Sequence, residues 1–280
     1  MSGDTVRIFI GSGEASRLER KTLIHSIRRH TRRPLDLYVF NGTHNAIERN
    51  DEPPSPAPMS LRVKYRNVTE FSLYRFLIPA VCGFKGRAIF LDSDMICLAD
   101  IGELFDTPLE GYDFLAKGDA YGGSHAWGLS VMLIDCGRAR FDLEAIVDEI
   151  DRGEYTLEDF ARMTGRFGTR RPYAIGAIDP RWNEFDRYDA GTKLIHYTNL
   201  ETQPWKYTGH PAGELWFRYF REALAAGAVT RDDVTLTLLR AYARPDLLAG
   251  NRGAGWRAWP ARATARLASL WHRRAGGVAS

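Results

Sequence analysis

Cysteine is scarce in this sequence. Cys82, Cys97 and Cys136 are odd in number, widely spaced and set in apolar surroundings, and none belongs to a CxxC pair. A disulfide-built scaffold is excluded, no cysteine zinc or redox motif is present, and a reducing compartment is the expectation. Charge of one sign is lacking too. With 38 basic and 35 acidic residues the net charge is only +3, and 44% of residues are hydrophobic, which excludes a disordered polymer. Long apolar runs are missing. A spanning helix needs about 20 predominantly apolar residues, and the nearest candidate, Phe76 to Phe84, is short and contains Pro79 and Gly83. Met1 to Ile10 runs into a strand-like pattern with no basic stretch followed by an apolar one, so export through a signal peptide is not expected and a cytoplasmic location is. What remains is enough apolar sequence for one sizeable globular domain with an appendage.

The pattern along the chain is α/β. Val6 to Ile10 reads as a strand broken by Gly11-Ser12-Gly13, and Ser16 with Glu19 has the form of a capping box before a helix that ends near Pro34. Leu35 to Phe40 reads as a second strand, which completes a βαβ unit with parallel strands. Asn41 to Pro58 is polar and proline-rich and reads as an irregular surface loop. A helical segment is expected over Phe71 to Val81 and a buried strand over Arg87 to Leu91. Further strands are expected over Tyr112 to Ala116, Val131 to Ile134 and Lys193 to Tyr197. Leu143 to Ile150, Leu157 to Met163, Gly213 to Ala225 and Arg231 to Ala243 read as helices, the last capped by Thr230.

The chemistry concentrates where the buried strand Arg87 to Leu91 ends, in Asp92-Ser93-Asp94. Residues i and i+2 of an extended chain point the same way, so the two carboxylates repel unless a counter-charge is present. A divalent cation supplies one, since Mg²⁺ or Mn²⁺ takes oxygen ligands and keeps positions for water and phosphate. Taken alone, a DxD is more often a turn cap beside a solvated carboxylate. Arg75, in the helix before this strand, adds a guanidinium suited to diphosphate oxygens. His196, at the end of a short strand, adds an imidazole suited to manganese. Pro204, Trp205 and Lys206 follow closely. Taken singly, each of these is more often structural: a surface arginine, a satisfied core histidine, a packed tryptophan.

Their order along the chain resembles the glycosyltransferases of family 8 and their bacterial relatives. The resemblance covers most of residues 5 to 210. It rests on Arg7-Ile8-Phe9-Ile10-Gly11, Phe71-Ser72-Leu73-Tyr74-Arg75-Phe76 and Phe90-Leu91-Asp92-Ser93-Asp94-Met95. It continues in Ser130 to Asp135, Pro180-Arg181-Trp182-Asn183, His196-Tyr197-Thr198 and Pro204-Trp205. The resemblance implies a GT-A-type, Rossmann-like mixed sheet flanked by helices, with a helical C-terminal extension. It implies a nucleotide-diphosphosugar donor, with a UDP-sugar as the expectation, Mn²⁺ or Mg²⁺ dependence, and transfer with retention to a glycan, lipid-linked or other hydroxyl acceptor, as in polysaccharide biosynthesis. By motif matching Asp92, Asp94 and His196 are the metal ligands. Arg75 and Asp119 act on the donor, Asp119 by holding sugar hydroxyls, while Ile10, Gly11, Ser12, Ser93 and Lys206 bind the nucleotide. Residues 1–212 form the catalytic domain and 213–249 its helical extension.

The sequence departs from that pattern in places. Gly128-Leu129-Ser130 stands where Asn-Ala-Gly is common, and Gln203 replaces the usual basic residue before Pro-Trp. The interval from His196 to Pro204 is one residue longer than the common one, and the Asp-Gln pair often found near the reacting carbon has no counterpart around Leu157 to Met163. Two other readings stay open: a sugar-phosphate nucleotidyltransferase and a non-catalytic nucleotide-sugar-binding protein. A dinucleotide fold fits poorly, because Ser16 occupies the third glycine of GxGxxG. Residues 250–280 carry six arginines and no acid, with Trp256, Trp259 and Trp271 among them. Removing those six charges leaves about −3 on the rest. This tail reads either as a peripheral contact with an anionic membrane surface or as a solvated segment. Nucleic-acid binding is not expected.

Overall fold

The structure is a computed structural model, described here for residues 4–120 and 125–247. The basic tail and both readings of it lie outside the described residues. β1 (Val6–Ser12) is buried on both faces, with Ile8, Phe9 and Ile10 fully enclosed, the condition that produces a continuous apolar run in a parallel strand. α1 (Arg17–His30) packs Leu23 and Ile27 against the sheet, and β2 (Leu35–Asn41) returns parallel to β1 with Ile8 opposite Leu37. The expected βαβ unit is present. Its capping box is not: Ser16 makes no side-chain cap bond, because Glu19 is turned inward and buried.

The proline-rich stretch after β2 is more ordered than its composition predicts. β3 (Ala46–Arg49) and β4 (Ser55–Pro56) add two antiparallel edge strands. An edge tolerates proline, since one side of its backbone needs no ladder bond. α2 (Leu61–Lys64) follows, capped by Ser60. The helical segment expected from Phe71 starts later, as a 3-10 turn at Tyr74–Leu77 that runs into α3 (Ile78–Val81). The side chain of Asn67 delays it by accepting the Leu73 N–H at 2.6 Å.

β5 (Arg87–Asp92) pairs parallel with the other side of β1, placing Asp92 beside Gly11. β6 (Met95–Cys97) leaves in another direction, followed by α4 (Ile101–Phe105). β7 (Phe114–Lys117) and β8 (Gly128–Asp135) continue the large sheet, and α5 (Leu143–Asp151), α6 (Leu157–Arg162) and α7 (Gly165–Arg170) lead to β9 (Ile175–Ala177). The eight strands are ordered β4-β3-β2-β1-β5-β8-β7-β9, parallel in β2-β1-β5 and antiparallel at β5-β8 and β8-β7. Phe9, Phe40, Phe90 and Phe114 belong to the core of one face of this sheet, and Ile10, Leu91, Val131 and Leu133 to that of the other. β10 (Glu184–Phe185) and β11 (Leu194–His196) form a second sheet with β6, in the order β10-β11-β6.

α8 (Gly213–Ala225) and α9 (Arg231–Leu239) form the expected helical extension. Thr230 does cap α9, in a reciprocal box with Asp233. The helix ends short of Ala243 because Ala241 adopts a left-handed φ of +57°. Trp216 and Phe220 of α8 share a core with Ile96 of β6, Ile195 of β11, Tyr197 and Trp205. The extension therefore backs the small sheet.

Candidate functional site

Parallel strands expose their carboxyl ends to a common crevice, the usual ligand site of an open α/β sheet. Here that crevice holds the ends of β1 and β5 and therefore Asp92. The chain then turns through Ser93, which is buried, to Asp94, and enters β6. β11 runs antiparallel to β6 with His196 opposite Met95, and the Tyr197 N–H donates to the Asp94 carbonyl at 2.9 Å. This pairing is what carries His196, over a hundred positions away in sequence, to the DxD turn.

One ligand atom each from Asp92, Asp94 and His196 lie within 4.8 Å of one another. Asp94 Oδ1 stands 3.0 Å from His196 Nε2 but lacks hydrogen-bond geometry. That oxygen and His196 Nδ1 are both buried polar atoms with no hydrogen-bond partner. Burial pushes the Asp92 carboxyl up to about 6, assisted by the Asp94 charge and opposed by Arg75 and His196. Burial pulls the His196 imidazole down, but the facing Asp94 carboxylate outweighs it and the net direction is up. Two carboxylates and an imidazole, crowded and incompletely satisfied, are the donor set that suits Mn²⁺, with Mg²⁺ second.

Arg75 is buried beside this cluster with its donors engaged. Nη2 donates to Asp92 Oδ1 at 3.2 Å, Nε to the Ser72 carbonyl at 2.8 Å and Nη1 to the Leu129 carbonyl. Its guanidinium also lies over the Phe90 ring, 4.6 Å from the centroid. The sequence assigned it to donor phosphates; the structure gives it first to Asp92. Gln203 is the residue the sequence reading missed. It is buried, its Nε2 donates to Asp94 Oδ2 at 3.2 Å and to the Tyr197 carbonyl at 3.0 Å, and its Oε1 accepts from Lys206 Nζ at 3.0 Å. Lys206 thus meets the cluster through an amide. The only signal was the position of Gln203 before Pro-Trp, where it looked like the loss of a cation.

Ile10 and Ser12 are buried at the end of β1. Gly11 has a steric requirement, since a Cβ there would fall 2.4 Å from the Phe71 ring. Glu19 points into the same region without a partner for Oε2, and burial pushes its carboxyl up to about 8 against the opposing charge of Lys206. Asp119 is not brought into the cluster. Its side chain is 66% exposed, its φ is +46° and its facing group is His125, 3.7 Å away. Asn183, in the Pro-Arg-Trp-Asn segment, is fully buried and donates from Nδ2 to Ser130 Oγ at 3.0 Å. A cavity of about 420 Å³ opens beside Asp92, Arg75 and His196 and continues past Ser130 to α6.

No protein-family model and no curated protein matches the chain. Solved structures do. The glycosyltransferase GlyE of Streptococcus pneumoniae TIGR4 superposes with a TM-score of 0.58 and 15% identity, over 81% of this chain and 64% of GlyE. The bifunctional glycosyltransferase WbbM gives 0.54 and 15%, over 77% of this chain and 49% of its own. The chain spans less than two thirds of either protein. The galactosyltransferase LgtC, solved with donor and acceptor sugar analogs, gives 0.59 and 13%, over 78% of this chain and 96% of LgtC. At these identities the common property is the fold. The chain has the GT-A-type fold of these glycosyltransferases, as the sequence resemblance implies.

Proposed function

We propose that the chain is a metal-dependent, retaining glycosyltransferase that moves a hexose-type sugar from a nucleotide-diphosphosugar, UDP-linked, to a hydroxyl of a glycan or lipid-linked acceptor. The observation that carries this reading is the convergence of Asp92, Asp94 and His196 at the carboxyl ends of β1 and β5, on a fold seen in glycosyltransferases.

Asp92, Asp94 and His196 would hold Mn²⁺ or Mg²⁺, which when bound supplies a Lewis acid for the negative charge that develops on a diphosphate leaving group. Arg75 keeps Asp92 ionised and oriented toward the cluster. Gln203 aims Asp94, and Lys206, tied to Gln203, stands ready to neutralise phosphate. The end of β1, Ile10 to Ser12, would border the base and ribose, and Ser93 would lie in the turn between the two aspartates. The described residues of the cavity include no carboxylate other than Asp92, so no side-chain nucleophile is assigned. In the proposed step the bond from the anomeric carbon to the diphosphate breaks and the acceptor oxygen bonds that carbon from the same face, its proton passing to the departing phosphate oxygen. The reading does not draw on Asp119.

The test is calorimetric binding of UDP, with and without Mn²⁺, to the wild type and to Asp94→Ala. Binding that requires Mn²⁺ and weakens by more than about 100-fold in the variant is expected, a larger loss than outer-shell changes cause. UDP affinity indifferent to both metal and Asp94 would overturn the reading. Pyrophosphate release from a sugar 1-phosphate and UTP would move the protein to the nucleotidyltransferases, and metal-linked UDP binding without donor hydrolysis or transfer would leave a binding protein.

A further inference from the structure

The cavity beside the metal cluster changes character along its wall. Asp92, His196 and Arg75 form its charged corner, whereas Leu73, Phe76, Leu129, Leu157 and Ala161 form an apolar surface. Ser72, Ser130 and Thr198, which share this surface, each make at least one hydrogen bond inside the protein. Ser72 Oγ accepts from the Val68 N–H at 2.9 Å and donates to Asn67 Oδ1 at 3.2 Å. Ser130 Oγ accepts from Asn183, and Thr198 Oγ1 donates to Asp186. Arg75 makes one bond from each nitrogen, which leaves one N–H on Nη1 and one on Nη2, at the charged corner and not on the apolar wall. Among the described lining residues this leaves Thr69, at the exposed rim, as the hydroxyl with no bond inside the protein.

A sugar whose hydroxyls faced this wall would leave water without gaining partners, and an unpaired buried hydroxyl is costly. A methyl group gains from the same contact. If the cluster holds the metal-diphosphate as proposed above, the group attached to the diphosphate is the one that enters this cavity. Resting on that reading, we propose that the donor sugar carries a methyl-bearing substituent, as a 6-deoxyhexose or an N-acetylated hexosamine, seated against Leu129, Leu157 and Ala161. These three residues then determine sugar specificity by shape and by the absence of a hydrogen-bonding partner.

The experiment compares UDP, UDP-glucose, UDP-6-deoxyglucose and UDP-N-acetylglucosamine by competition calorimetry on the full chain with Mn²⁺. One methyl in an apolar pocket is worth roughly 10- to 200-fold, so at least one methyl-bearing donor is expected to bind about tenfold or more tighter than UDP-glucose. Which one does so separates the two sources of the methyl. Leu157→Gln, which offers an amide to a hydroxyl, should shrink that ratio while UDP affinity holds. Ala161→Ser, a smaller change, provides the same comparison if the first variant fails to fold. Equal or tighter binding of UDP-glucose by the wild type, with UDP binding intact, overturns this inference alone. A preference that neither variant alters overturns its assignment to this wall. Absence of metal-linked UDP binding overturns the parent reading and this inference with it.

Discussion

Two part-buried carboxylate sites in this molecule have opposite environments. Glu149, on α5, has a side chain only 13% exposed, and its oxygens are answered on every side. Arg171 donates to both, at 2.8 and 3.0 Å, and the Tyr155 hydroxyl donates at 2.6 Å. These partners, Arg171 first, hold its carboxyl down to about 2. Asp92, 17% exposed, has one guanidinium contact and a second carboxylate two residues away. Burial pushes it up instead, to about 6. A buried charge with all its partners in the protein ties elements together. A buried charge short of partners is held at a cost to the fold and is where a ligand has something to contribute.

The strongest way to break this contrast is to remove the one partner that Asp92 has. Arg75→Met leaves the Leu129 and Ser72 carbonyls without their donor and Asp92 without its counter-charge. Loss of one member of a buried pair costs about 3–5 kcal/mol; protonation of Asp92 would relieve part of that, so roughly 3 kcal/mol is expected in urea unfolding. Adding Asp92→Asn to Arg75→Met should recover part of the loss, and Mn²⁺ should stabilise the single variant by mass action on the same carboxylates. Equal stability of Arg75→Met and the wild type would mean that the guanidinium is not what holds this corner.

The legible parts of the molecule follow from burial. β1, β5 and β8 lie inside the sheet and must be apolar on both faces, so they stand out as runs, and a pair of aspartates at the end of such a run is conspicuous against it. β3 and β4 were not legible, because an edge strand half in water carries glutamate, arginine and proline as a loop does. α7 has one buried residue, Phe167, among glycines and arginines, and leaves no apolar stripe to read. The Ser16–Glu19 pattern misled for a related reason: a capping box needs the glutamate at the helix surface, and tertiary packing buries it. His196 was found through its neighbours in sequence, but its distance to Asp94 is set by the pairing of β6 with β11, which periodicity does not report. Gln203 was read as a missing cation because a neutral amide has no electrostatic signature in a sequence.

Gln203 supplies the next test of the contrast, since it is the uncharged partner of an incompletely satisfied site. Removing a group that orients a metal ligand typically weakens metal binding 10- to 100-fold. Gln203→Leu should therefore raise the Mn²⁺ concentration needed for half-maximal UDP binding by about tenfold or more, and Lys206 loses its link to Asp94 in the same change. Gln203→Glu keeps an acceptor for Lys206 but turns a carboxylate toward Asp94, and should be worse at low Mn²⁺ and recover as the metal is raised. Identical metal titrations in all three proteins would reduce Gln203 to a packing residue.

The smallest effect belongs to the satisfied site, and pH exposes it. The Glu149 carboxyl lies near 2 in the folded chain against an ordinary 4.5, so below 4.5 the unfolded chain binds more protons there and acid favours unfolding. Its contribution is full above about pH 4.5 and disappears as the pH falls toward 2. A charged hydrogen-bonded pair contributes roughly 1.5–3 kcal/mol, less here because the Arg171 side chain is 24% exposed and screened by water. Glu149→Gln should thus cost about 1–2 kcal/mol at pH 7, with the gap between its urea midpoint and that of the wild type closing as the pH is lowered through 4.5 to 3. A gap of constant size would place the role of Glu149 in packing and hydrogen-bond geometry. A gap that closes would establish that this corner is held by charge pairing on both carboxylate oxygens, where Asp92 has a single guanidinium contact.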